Sequence, residues 1–104
     1  MILIDVELST TAAQRDDLIA LLDNTMRASR TEPGCLIYRF SADLTDPLTF
    51  YLVELWQDEA ALTTHFQGEA FSVFAAQIAA VGRVESSKAR NGDLQPYEIK
   101  RPAR

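Results

Sequence analysis

Two runs with a period of two, Cys35 to Asp43 and Thr49 to Gln57, are separated by only five residues, Leu44-Thr45-Asp46-Pro47-Leu48. No other feature restricts the fold as much. Parallel neighbours need a crossover of a dozen or more residues, so a link this short, carrying Asp and Pro turn chemistry, leaves an antiparallel hairpin. In the first run Leu36, Tyr38, Phe40 and Ala42 alternate with Cys35, Ile37, Arg39 and Ser41. In the second, Phe50, Leu52, Glu54 and Trp56 share a face. Both strands carry bulky or apolar residues on both sides, so the hairpin has two faces to bury.

The flanking segments supply one of those covers. Ile2, Ile4, Val6 and Leu8 form the apolar face of a half-buried strand over Ile2 to Leu8, opposite Leu3, Asp5 and Glu7. Thr11 and Gln14 have capping-box spacing, and Leu18, Leu21, Leu22, Thr25, Met26 and Ser29 trace one side of an amphipathic helix. It ends before Pro33-Gly34, where Pro restricts the preceding residue and Gly releases the turn. Beyond the hairpin, Asp58 caps a short helix through Phe66, and Gly68 interrupts it. Phe71, Phe74, Ile78 and Val81 give a further helical stripe, continuous with the first helix or separate from it. Val84 to Ala89 reads as a fourth strand, and Asn91-Gly92-Asp93 as a turn. Gln95 to Lys100 is a candidate edge piece, barred by Pro96 and Pro102 from any central position. The order strand, helix, strand, strand, helix, strand predicts an α+β fold. It is a ferredoxin-like βαββαβ antiparallel sheet with helices on one face. The second face then needs a partner, and the expectation is a homodimer that closes two open sheets around a cavity.

Composition narrows the functional classes. The chain has 104 residues, one domain by size, and its 10 basic against 15 acidic residues leave a net charge of -5. Nothing in that balance favours phosphate backbones or anionic lipid, so nucleic-acid and membrane partners are not expected. The late basic residues Arg83, Lys88, Arg90, Lys100, Arg101 and Arg104 alternate with Glu85, Asp93 and Glu98, as on a solvated surface. Cys35 has no second cysteine to pair with, and one Cys with one His cannot close a zinc site within a chain. This fits a reducing compartment. The apolar start Met1-Ile2-Leu3-Ile4 meets Asp5 and Glu7 at once, which is neither a signal segment nor a spanning one. A cytoplasmic protein is expected. The four glycines, at 34, 68, 82 and 92, draw no nucleotide-binding loop, and neither G-x-S-x-G nor H-E-x-x-H is present. The expectation is therefore no cofactor and no metal, with acid–base or electrostatic catalysis in an apolar cavity.

The residues for such chemistry cluster between Glu54 and Phe66, which include the only Trp and the only His. Such catalysis needs a substrate that can be deprotonated, a base, and donors for the resulting oxyanion. His65 is the candidate base, since burial beside Leu62 and Phe66 disfavours its charged form. The Trp56 N–H and the phenols of Tyr38 and Tyr51 are candidate donors, and Phe66 and Phe71 candidate walls. Each has a plainer reading beside it. His65 could be a packing residue bound to Glu54, and Trp56 and Phe71 could be core. Glu54, on an apolar strand face, needs a partner such as Arg39 or Arg83. Cys35 reads as a small buried residue.

Taken together, Glu32-Pro33-Gly34-Cys35-Leu36, Tyr38, Asp43, Asp46-Pro47, Phe50, Glu54, Trp56, Asp58, Ala61-Leu62, His65-Phe66 and Phe71 resemble the antibiotic biosynthesis monooxygenase domain family. The most specific parts are Glu-Pro-Gly-Cys and Glu-x-Trp followed by Leu-x-x-His. The resemblance covers about residues 2–89 and leaves 90–104 as a C-terminal extension of a single domain over 1–104. It implies a dimeric α+β barrel and, as in several members, oxidation of a small aromatic or quinone-like substrate by molecular oxygen without metal, flavin or haem. Within that expectation His65 and Trp56 are the candidate catalytic residues, and Tyr38, Tyr51, Glu54, Phe66 and Phe71 the candidate substrate-binding ones. The family also contains haem-degrading and isomerase-type members. A haem-degrading monooxygenase and a non-catalytic binding or stress-associated dimeric module are therefore the alternatives. Ala70 stands where members commonly carry a second histidine, which counts against any mechanism needing two imidazoles.

Overall fold

The computed structural model describes residues 1–103. Its elements are β1 (Ile2–Ser9), α1 (Arg15–Ser29), β2 (Cys35–Ala42), β3 (Thr49–Trp56), α2 (Glu59–Phe66), α3 (Glu69–Val81) and β4 (Arg83–Asn91). The strands form one antiparallel sheet in the order β2-β3-β1-β4. This is the expected ferredoxin-like arrangement, with the second helical stretch divided at Gly68 into two helices.

The alternation in the strands decides which face the helices cover. Ile4 lies opposite Glu54 on one side and Ala89 on the other, and Leu8 opposite Phe50 and Val84. These residues share a face with Tyr38, Leu52 and Trp56, and α1 sets Leu18 and Leu22 against them to make the core. Leu8, Leu18 and Trp56 lose all exposure, each such burial contributing about 1.5–3 kcal/mol or, for the indole, somewhat more. The opposite face, with Leu3, Asp5, Ile37, Arg39, Val53 and Leu55, is left uncovered.

The hairpin connector is held by its own side chains. Asp43 Oδ1 accepts from the amides of Thr45 and Asp46, and Asp46 Oδ1 accepts from the amide of Leu48. At the other end of the hairpin Gly34 adopts φ 80°, and a Cβ there would fall 2.5 Å from the Cβ of Ala61. Only glycine therefore lets the α1–β2 turn pass this close to α2.

Three local expectations are corrected. Thr11 does not cap α1: its hydroxyl meets the Gln14 side chain at 3.2 Å, and the helix begins at Arg15 without a side-chain cap. The first turn instead carries Asp16 and Asp17, which suit the positive end of the helix dipole. In β2 an irregularity between Cys35 and Ile37 shifts the phase of the strand. Cys35 consequently packs on the core, while Leu36 is turned out and is 49% exposed. Gln95 to Lys100 forms no strand: Pro96 has no N–H to offer a ladder, and Tyr97 and Ile99 stay in solvent.

Candidate active site

The sequence arranges a meeting of three elements on the covered face of the sheet. β3 ends at Trp56, Asp58 accepts from the Ala61 amide at 2.8 Å to start α2, and the last turn of that helix carries His65 down onto the sheet. The imidazole is 1% exposed. Its ring lies 4.5 Å from that of Trp56 and 5.7 Å from that of Tyr38, with Phe66 at 5.6 Å and Phe71 at 5.7 Å on its helical side.

Beside this cluster is a cavity of about 290 Å³ between the sheet and α2–α3. Ile4, Val6, Leu52, Phe74 and Val84 give it apolar walls, and Tyr38, Glu54 and His65 supply titratable groups. Phe66, 47% exposed, stands at its edge. The cavity is built within one chain, on the helix side. It is not the space between two open sheets that the sequence pattern suggested, because α3 rests against α1 and leaves room above β1 and β4. A more open hollow of about 250 Å³ lies between α1 and the hairpin, but its ionic groups are already engaged. Arg15 Nε donates to the Pro47 carbonyl, and Asp23 pairs with Arg27.

Burial alters two of the cavity's titratable groups. Glu54 is 5% exposed, and its Oε1 accepts the Trp56 indole N–H at 2.7 Å. Burial raises its pKa above the ordinary carboxylate value. The indole hydrogen bond and the charge of His65 pull the other way, and Glu32 adds to the rise. Glu54 thus keeps its proton at pH values where surface carboxylates have lost theirs. The Tyr38 phenol is likewise pushed above its usual range, first by burial and then by Glu54, so it remains a hydrogen-bond donor. His65 Nδ1 is 2.7 Å from Glu32 Oε1. Arg30 Nε donates to the Tyr38 carbonyl at 2.8 Å, tying the turn that bears Glu32 to β2.

Of the residues expected from sequence, Tyr38, Glu54, His65, Phe66 and Phe71 come together at the cavity. Two do not line it. Trp56 is wholly buried behind the imidazole and its N–H is taken by Glu54, so it is not free to donate to an oxyanion. Tyr51 points to the uncovered face, opposite Glu7 and Ser41, and donates to Asp43 Oδ2 at 2.6 Å. Glu54 pairs with neither Arg39 nor Arg83, and the partner of His65 is Glu32 rather than Glu54. Glu32 is the site residue that pattern reading missed. It stands in the Glu-Pro-Gly turn, 33 positions before His65, where no periodicity links the two.

The same architecture recurs in solved proteins. A Deinococcus radiodurans protein assigned to the antibiotic biosynthesis monooxygenases superposes with a TM-score of 0.83 at 25% identity, over 96% of this chain and all of that one. A structure described as an antibiotic biosynthesis monooxygenase gives 0.77 at 28% identity, covering 92% of this chain and 100% of the other. PA3566 of Pseudomonas aeruginosa gives 0.74 at 27% identity over 95% and 94% of the two chains. The Synechocystis protein sll1783 is 39% identical over 61 residues, which span 59% of this chain and 42% of that relative's length. The model of the antibiotic biosynthesis monooxygenase family matches residues 1–77, across the hairpin, His65 and most of α3, and the chain belongs to that family.

Proposed function

We propose that the protein is a cofactor-independent monooxygenase that oxidises a small aromatic or quinol-type compound with molecular oxygen in this cavity. The observation that carries the reading is the pairing, in one apolar chamber, of an imidazole with two groups whose acidity burial weakens, Glu54 and Tyr38. Environments that separate a base from an acid are the usual basis of acid–base assignments. A volume of about 290 Å³ suits a compact planar ligand, since small-molecule pockets run from roughly 300 to 1,000 Å³.

In the proposed reaction the substrate carries an acidic CH₂ between an aromatic ring and a carbonyl-conjugated system. His65 removes one C–H proton, and Tyr38 and Glu54 donate hydrogen bonds to the oxyanion that develops. Electrons pass from this anion to O₂ and a C–O bond forms, giving a peroxide. Return of the proton to the distal oxygen and loss of the second C–H proton break the O–O bond and leave a carbonyl and water. One oxygen atom enters the product, and the conversion of CH₂ to C=O supplies all four electrons. Trp56 serves by holding Glu54 in place.

The test is oxygen uptake with anthrone as substrate by chelator-treated protein. One equivalent of O₂ consumed per carbonyl formed, with the rate lost in His65→Ala, supports the reading. Saturable anthrone binding without turnover would replace it with that of a binding module.

We further propose that the uncovered sheet face belongs to a homodimer. Leu3, Ile37, Val53 and Leu55 sit together there, with Val53 39% exposed, and Asp5 is neutralised by Arg90 at 2.9 Å. A self-complementary apolar patch of this kind fits two-fold pairing. Sedimentation equilibrium should give twice the chain mass, and Val53→Lys should halve it.

A further inference from the structure

We propose that Glu32 is the positioning residue that fixes the proton of His65 on Nδ1 and so presents the lone pair of Nε2 to the cavity. The inference rests on the assignment of His65 as the base, and it concerns a residue outside the cavity lining.

The geometry leaves few alternatives. Glu32 Oε1 stands 2.7 Å from Nδ1, and the two side chains are 20% and 1% exposed. An ionised carboxylate only accepts hydrogen bonds, so the proton between them belongs to Nδ1. In the neutral ring Nε2 then carries the lone pair. The hydrogen bond of the imidazole among the described residues is made at Nδ1. The ring lines the cavity together with Glu54 and Tyr38, which leaves Nε2 as its nitrogen for the substrate.

Glu32 is itself built into place. Its amide donates to the Ser29 carbonyl at 3.1 Å and its own carbonyl accepts from the Cys35 amide at 3.2 Å, which closes the turn after α1. On the far side Gly68, between α2 and α3, leaves the space the carboxylate needs: a Cβ there would come within 3.1 Å of Glu32 Oε2. The Gly68 amide also donates to the His65 carbonyl at 3.0 Å, so one junction fixes both the backbone of the histidine and the room for its partner. When Nε2 accepts a proton from a substrate, the imidazolium forms against a carboxylate already in contact, with no rearrangement required.

The chain has a single histidine, so its ring nitrogens can be read without ambiguity by ¹⁵N NMR of histidine-labelled protein. In its neutral form the wild-type ring is expected to show a protonated Nδ1 and an unprotonated Nε2. In Glu32→Ala the proton should move to Nε2, with kcat for anthrone oxidation falling about 100-fold while KM changes little. A wild-type ring protonated on Nε2, or a tautomer unchanged in Glu32→Ala, would overturn the proposal. If Glu32→Ala does not fold, the wild-type spectrum alone decides it. If anthrone is not turned over, the oxygenase reading fails while the tautomer result still stands or falls by itself.

Discussion

Asp43 and Glu54 belong to the same hairpin, and their surroundings move the two carboxyls in opposite directions. Asp43 sits in the connector on the solvent side. Hydrogen bonds from Tyr51, from the Thr45 amide and hydroxyl and from the Asp46 amide hold it down to about 2. Glu54 points inward, where burial outweighs its single indole donor and raises it. The contrast shows what the covered face does to a polar group. A carboxylate surrounded by donors becomes a firmer anion, whereas one given a single donor in an apolar wall becomes a reluctant acid. The first arrangement shapes a turn, and the second sets a weakened acid on the wall of the cavity.

Substitutions can break that comparison from either side. His65→Ala should have the largest effect, a fall in anthrone-dependent oxygen uptake of about 10²- to 10⁴-fold, the range set by loss of a positioned base. Trp56→Phe comes next, because it removes the donor to Glu54 and leaves a buried acceptor unpaired. Chemical denaturation should show a loss of about 1–3 kcal/mol, and combining it with Glu54→Gln should cost less than the sum of the two.

Glu54→Gln sharpens the comparison through pH. A carboxyl raised on folding binds its proton more tightly in the native state, so it costs nothing in acid and opposes folding increasingly as pH rises past its ordinary value. The glutamine variant should therefore match the wild-type thermal midpoint in acid and exceed it near neutrality, while oxygen uptake drops about 10-fold for want of the acid. Tyr51→Phe should have the smallest effect. A carboxyl lowered to about 2 stabilises the fold above its ordinary value and loses that contribution as pH falls. Removing the phenol should move the acid unfolding limb slightly to higher pH and leave oxygen uptake unchanged, because both groups lie at the surface.

Much of this organisation was legible in the sequence. The half-buried strand β1, the stripe of α1 and the five-residue link in the hairpin each have one physical solution, and the structure adopts it. The phase shift at Leu36 was not legible, since Cys35, Leu36 and Ile37 are all apolar and alternation fits them in either register. The cavity residues on one strand or helix could be found from Glu-x-Trp and Leu-x-x-His. Their hydrogen-bond partners could not, because the Glu32–His65 contact is set by how α2 packs on the α1–β2 turn. Tyr51 looked equivalent to Tyr38 in composition, but strand register sends the two phenols to opposite faces.

The covered face makes the Glu54 carboxyl beside the imidazole a weaker acid than its exposed counterparts, and a ¹³C NMR titration of the side-chain carboxyl carbons tests this most directly. With Glu54 assigned by its absence in Glu54→Gln, its midpoint should lie above those of the exposed glutamates, while Asp43 titrates near 2. A Glu54 resonance that titrates with or below the exposed glutamates would contradict the account.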